Sequence, residues 1–269
     1  FRCGDHRCGR DRLRDRTAGI SGSRRELRTI ALLPLDPDSG ARDIAARLAA
    51  ALAARGPVDV LDAGSLAGTD GLALPGRHGE PVSPAVVEWL ASREDAHRFV
   101  LLIADPGATP WTDVVLRHAD LVLLVARAGE SPARRAWEAG LLDPAQGPVA
   151  RQALLLVHPG QPATLQATAP WLAPRQTDFH LHLREGVRAD FDRLVRILDG
   201  SALGLVFGGG AARGFAHLGV YKALVEAGHA IDWIGGSSIG SVMAAAVALD
   251  LPPDEAIARA RAAFVDGKP

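Results

Sequence analysis

The sequence predicts an α/β protein in two parts: a parallel-sheet, three-layer accessory domain over residues 28–200, then the opening βαβ unit of a second α/β domain over residues 201–269. Three observations predict it. Short, nearly continuous apolar runs, Phe99–Ala104 (FVLLIA), Leu121–Ala126 (LVLLVA) and Leu154–Val157 (LLLV), have the length of strands covered on both faces, the habit of parallel sheets. Amphipathic stretches lie between them, and strand–helix alternation builds such a sheet with right-handed crossovers. Beyond Leu203 the strand ends run into glycine clusters, GGGAARG and GGSSIG.

The elements follow in order. Thr29–Leu35 (TIALLPL) reads as a buried strand. Ala41–Arg55 spaces Ile44, Leu48 and Leu52 four apart, which places them on one helical face. Val58–Leu61 is a second strand, Gly64–Ser83 a Gly- and Pro-containing loop, and Pro84–Ser92 a helix. Helices at Thr112–His118 and Pro132–Gly140 separate the apolar runs. Phe179–Leu183 adds an edge strand, and Ala189–Leu198 is a helix closed by Asp199-Gly200. The second part reads strand Leu203–Phe207, helix Phe215–Ala227, strand Ile231–Ile234, helix Ile239–Leu249 and helix Pro253–Val265.

Composition narrows the classes of function. Hydrophobic residues make up 48% and charged residues 23%, a globular profile, and the formal net charge of −1 argues against a nucleic-acid footprint. Residues 1–27 are arginine-rich, without an apolar run, and read as a linker or disordered remnant with neither signal peptide nor membrane span. Localisation is expected to be cytoplasmic or peripheral at a membrane surface. Cys3, His6 and Cys8 offer three zinc ligands without a fourth at finger spacing, so no metal site is expected there. His180 and His182 share one strand face but have only Asp178 nearby in sequence, and a structural pair is the expectation. The turn after the first strand, Asp36-Pro37-Asp38-Ser39-Gly40, has two carboxylates, one glycine and no lysine where a P-loop would cradle phosphates. No nucleotide is expected to bind, and Trp111 is expected to pack.

The chemistry gathers in the second part. Gly236-Ser237-Ser238-Ile239-Gly240 satisfies G-x-S-x-G and lies between an apolar strand and an apolar helix, the setting of a nucleophile elbow. Gly236 and Gly240 allow the chain to turn sharply under Ser238, and the helix N-terminus favours developing negative charge. Gly208, Gly209 and Gly210, at the end of the preceding strand, can supply backbone N–H groups to an oxyanion. Consecutive parallel strands deliver both loops to one crevice. A dinucleotide site would instead need glycine where Gly209-Gly210-Ala211-Ala212-Arg213-Gly214 has Ala211, and a carboxylate where the next strand runs into Gly235-Gly236-Ser237.

The segment Leu203–Leu249, LGLVFGGGAARGFAHLGVYKALVEAGHAIDWIGGSSIGSVMAAAVAL, closely resembles the start of patatin-like phospholipase domains, especially the neuropathy target esterase group of lysophospholipases. RTIALLPL, HRFVLLIADPGATPWTDVVLRHADLVLLV and ADFDRLVRILDGSALGLVFGGG resemble the region that precedes the catalytic domain in that group. The resemblance makes the second part the N-terminal portion of a patatin-like α/β hydrolase domain. It implies a Ser–Asp dyad with Ser238 as nucleophile, an oxyanion loop of Gly208, Gly209, Gly210 and Ala211, and support from Arg213, Gly214, Gly236 and Gly240. Ala211 stands where many members have glycine. The implied substrate is a phospholipid or lysophospholipid, with peripheral membrane contact and no cofactor. The dyad aspartate belongs to an Asp-Gly-Gly or Asp-Gly-Ala motif far beyond the serine. Here only Asp266-Gly267-Lys268 follows, so the aspartate is expected to be missing through C-terminal truncation. The alternative is an inactive fragment or interaction module. His217 is expected to pack or cap.

Overall fold

The computed structural model describes residues 27–142, 150–160, 165 and 168–267, so the readings on Cys3, His6, Cys8 and the arginine-rich segment fall outside the described residues. Six strands form one sheet in the order β2-β3-β1-β4-β5-β6. They are β1 (Thr29–Pro34), β2 (Val58–Leu61), β3 (Phe99–Ile103), β4 (Leu121–Arg127), β5 (Arg151–His158) and β6 (Phe179–Arg184). β1 pairs in parallel with β3 and β4, matching Ile30 to Leu101 on one side and to Leu121 on the other. Ile30, Leu32, Leu101, Leu123 and Leu155 are wholly buried, as strands covered on both faces require.

The described residues divide into two compact units. The first is built on the chain up to Val125 together with Pro132–Leu154 and Leu172–Phe179, and the second comprises Ala126–Ser131, Leu155–Trp171 and the chain from His180 onward.

In the first unit, helix α1 (Ala41–Leu52) buries Ile44, Ala45, Leu48 and Leu52, and Gly40 enters it at φ 80°. The predicted loop 64–83 begins with a short helix, α2 (Ala63–Ala67), because Asp62 and Ser65 cap one another reciprocally. Helices α3 (Pro84–Ala96) and α4 (Pro110–His118) start as their sequences signal, with Ser83 and Thr109 accepting N-terminal N–H bonds ahead of Pro84 and Pro110. Trp111 is fully buried and donates its indole N–H to the Ile103 carbonyl at 2.8 Å, so it packs as expected. Helix α5 (Ala136–Leu141) is shorter than the predicted Pro132–Gly140. The carbonyls of Pro132 and Ala133 accept from Arg175 at 2.9 and 3.4 Å, which holds these residues out of a helix. The same guanidinium grips the buried Glu138 carboxylate through two bonds of 2.8 and 2.9 Å.

In the second unit, His182 on β6 is bonded on both ring nitrogens, to His158 at 2.7 Å and to Thr168 of helix α6 (Thr168–Leu172) at 3.2 Å. Burial, with His158 and His180 nearby, lowers its pKa from 6.5 to about 4. Helix α7 (Arg188–Leu198) leads into β7 (Gly204–Phe207), helix α8 (Ala216–Glu226), β8 (Trp233–Gly236), helix α9 (Ile239–Ala248) and helix α10 (Pro253–Arg261). β7 and β8 form a parallel pair, and Phe207, Leu218, Met243, Val247 and Ala260 make the core beside it.

β8 begins two residues later than the predicted strand Ile231–Ile234 and ends on two glycines. Asp232 occupies the corner: its buried carboxylate takes three bonds from Arg196 of α7, the shortest 2.6 Å, and one from the Leu203 N–H at 3.1 Å. Pairing then starts at Gly204 with Trp233 and runs to Phe207 with Gly236, which draws Gly235 and Gly236 into the strand.

Candidate active site

The site grows from the register of β7 on β8. Because Phe207 lies opposite Gly236, the loops leaving both strands start side by side, and the Ser237 N–H bonds the Phe207 carbonyl at 3.0 Å. Ser238 then turns the chain into α9 with φ 54° and ψ −129°, a conformation that an L side chain rarely adopts. The turn is closed by the Gly240 N–H on the Ser237 carbonyl at 3.0 Å and by the Ser241 N–H on the Ser238 carbonyl at 2.9 Å. The Ser241 hydroxyl adds a bond of 2.6 Å to that carbonyl. Ser238 is exposed at the tip, over the N-terminus of α9.

Three glycines let the loops approach. A β-carbon on Gly236 would lie 2.3 Å from the Gly240 carbonyl, and one on Gly240 would lie 2.3 Å from the Phe207 carbonyl oxygen. One on Gly214 would meet Ile239 at 2.5 Å, so the short helical turn Ala211–Phe215 packs directly behind the serine. Gly209 is against the serine itself, 3.5 Å separating its β-carbon position from Ser238 Cβ.

The glycine loop is held from outside. His217, on the first turn of α8, donates from Nε2 to the Gly208 carbonyl at 2.9 Å, and its ring stacks on Phe207 at 4.9 Å. In a trans peptide the carbonyl and the following N–H point opposite ways, so anchoring the Gly208 carbonyl aims the Gly209 N–H away from His217. The N–H groups of Gly209, Gly210 and Ala211 have no acceptor among the described residues. The Arg213 N–H closes the loop on the Gly210 carbonyl at 3.1 Å, and Ala211 sits at φ 48°. Free backbone donors in a loop whose Gly209 lies against a serine at a helix N-terminus are of the kind that can stabilise an oxyanion formed by attack of that hydroxyl.

All nine candidate residues, Gly208, Gly209, Gly210, Ala211, Arg213, Gly214, Gly236, Ser238 and Gly240, belong to this one cluster of two loops. No described side chain hydrogen-bonds the Ser238 hydroxyl. Asp266 is 4.0 Å from Arg261 instead. Sequence reasoning passed over Asp232 and Arg196, which set where β8 starts and hence where Ser238 falls. A single acid before a strand and a single arginine on an amphipathic helix carry no signal of their meeting.

Comparison with known proteins identifies the family. Residues 26–189 match the Neuropathy Target Esterase family P-loop like domain, and residues 205–266 match the patatin-like phospholipase family. The rat patatin-like phospholipase domain-containing protein 7 is 36% identical over 246 residues, covering 81% of this chain and 18% of that protein. The human patatin-like phospholipase domain-containing protein 6 is 38% identical over 199 residues, covering 64% of this chain and 14% of that protein. Lysophospholipase NTE1 of Cryptococcus neoformans is 36% identical over 206 residues, covering 58% of this chain and 12% of that protein. The chain thus spans less than a fifth of the length of these relatives. With the P-loop-like match extending over more than half of its residues and the patatin match falling on the serine turn, the chain belongs to the neuropathy target esterase family.

Proposed function

We propose that the protein acts in the hydrolysis of carboxylic esters of phospholipids or lysophospholipids, with Ser238 as nucleophile. Ser238 Oγ attacks the acyl carbonyl while its proton passes to a carboxylate base. The carbonyl oxygen takes the negative charge against the N–H groups of Gly209, Gly210 and Ala211. Collapse expels the alcohol and leaves an acyl-serine, which water cleaves to a fatty acid. The single observation that carries this reading is the conformation of Ser238 at a strand–helix turn with Gly209 against its side chain. The names of the relatives supply the substrate class. Neither metal nor organic cofactor is called for. We place the lipid at a membrane surface contacted peripherally; no helix among the described residues is long and apolar enough to cross one.

The base is the weak point in these 269 residues. The sequence contains no Asp-Gly-Gly or Asp-Gly-Ala tripeptide, and no described carboxylate bonds Ser238. We therefore assign the base to a segment outside them. The same observation favours a second reading, in which these residues alone are catalytically inert and serve as an interaction module.

A fluorophosphonate probe tests the assignment. Slow labelling of the 269-residue chain at Ser238, and rapid labelling with lysophospholipid turnover in a version carrying the Asp-Gly-Gly or Asp-Gly-Ala segment, is the expected result. Activity of that longer version surviving Ser238→Ala would refute the nucleophile. Enzyme-like turnover by the 269 residues, abolished by Asp266→Asn, would refute the external base.

A further inference from the structure

A cavity of about 430 Å³ opens within the second unit, away from Ser238, between β6, α7, α8, the start of β8 and the end of α9. Its wall is about half apolar, with Ile231, Trp233 and Val247 beside Tyr221, and about half polar, with Arg184, Asp190, Arg193, Asp232 and Asp250 among its lining. Most of the charge is already neutralised. Arg184 is spent on Asp190 through two bonds of 2.7 Å. Asp232 is spent on Arg196 and on the Leu203 N–H.

Two opposite charges remain under-used. Among the described residues the buried Arg193 Nε has no hydrogen-bond acceptor: Asp232, 3.8 Å away, already takes bonds from Arg196 and the Leu203 N–H, and the Arg193 charge also acts on Asp190. Asp250, held at φ 57° just past α9 and 70% exposed, has among the described residues only the Arg184 cation at 3.9 Å, likewise committed elsewhere. Both charges reach Tyr221. Its hydroxyl pKa is raised by burial and further by Asp250, while Arg193 opposes the rise. Yet Arg193 and Asp250 do not come within ion-pair distance of each other. A desolvated donor without an acceptor costs free energy, and two opposite charges free to move would close on one another. Here the fold holds them apart across an aromatic-walled space.

We propose that this cavity binds a zwitterion in which a phosphate or carboxylate is joined through a few bonds to a methylated ammonium group. The anion accepts from Arg193, and the cation lies by Asp250 and Tyr221 with Trp233 near it. Charge-assisted bonds hold the anionic end. The apolar and aromatic wall favours a methylated ammonium over one that needs three hydrogen-bond acceptors. The site is independent of the chemistry assigned to Ser238.

Titration calorimetry of the 269-residue chain with phosphocholine and with glycine betaine tests it, with inorganic phosphate and tetramethylammonium as half-ligands. Saturable binding of at least one zwitterion, about tenfold or more tighter than either half-ligand, is expected. Asp250→Asn, a substitution its backbone conformation tolerates, should weaken binding about tenfold, and Arg193→Gln at least as much. Competition by phosphatidylcholine vesicles would identify the ligand as a lipid headgroup, and its lack would identify a free solute. Ser238→Ala should leave binding unchanged while abolishing fluorophosphonate labelling, which separates this site from the esterase reading. No binding at millimolar zwitterion, half-ligands binding equally well, or a folded Asp250→Asn chain that binds as before would overturn the proposal.

Discussion

Gly235 and Gly236 are neighbours on one strand, yet the same substitution should have opposite effects at the two positions. A β-carbon on Gly235 meets only the end of Val206, at 4.0 Å, which is ordinary contact. Alanine there should be neutral or stabilising by about 0.5 kcal/mol, since glycine weakens a strand interior. On Gly236 the added carbon lies 2.3 Å from the carbonyl carbon and oxygen of Gly240 and 2.5 Å from the Ser241 nitrogen. That is more than ~1 Å inside contact distance. The obstacle is backbone, so no rotamer change relieves it, and either β8 or the first turn of α9 must shift. Overpacking costs roughly 1–3 kcal/mol, and a clash with backbone on two residues puts Gly236→Ala at the upper end, about 3 kcal/mol. Hydrogen–deuterium exchange over residues 233–241, with urea denaturation, reads the difference. Gly236→Ala should exchange faster there while β1, β3 and β4 stay protected, and Gly235→Ala should match the parent chain. Equal protection in the two variants would refute the close approach on which the serine turn is built.

Three further outcomes follow from the same structure. Ala211→Gly relieves a positive φ that costs an L residue roughly 1–2 kcal/mol, less the larger chain entropy of glycine, so thermal melting should show unchanged or slightly raised stability; a clear loss would show that the φ is not strained. His182 is held neutral in the fold, its pKa lowered from 6.5 to about 4, so the unfolded chain binds the extra proton and stability should fall as pH drops from 6.5 toward 4. His182→Gln should flatten that part of the stability–pH curve, and an unchanged slope would count against the assignment. Calorimetry of the chain with ATP, GTP and cyclic nucleotides should show no heat, because Asp36, Asp38 and Asp43 cluster where β1 meets α1; micromolar binding of any of them would contradict it.

Much of the protein was legible before its structure. Continuous apolar runs such as LVLLVA can satisfy water only by being covered on both faces, so the parallel sheet follows from composition and length. G-x-S-x-G between an apolar strand and an apolar helix, thirty residues after a glycine cluster, was sufficient to nominate Ser238 and its loop. Glycine is informative because the need for it is steric and local. The tertiary structure alone decided the rest. Asp232, Arg196 and Leu203 meet across 29 to 36 residues and shift β8 by two positions, which no periodicity of residues 231–236 records. Arg175 draws out the residues before α5 from 42 and 43 positions away. His217 aims the glycine loop, and Arg193 stands apart from Asp250, only because of where the helices come to rest. Pattern along a chain reports which face of an element is buried; which polar groups then face each other is set by packing between elements distant in sequence, where one bond of about 1 kcal/mol can choose the register.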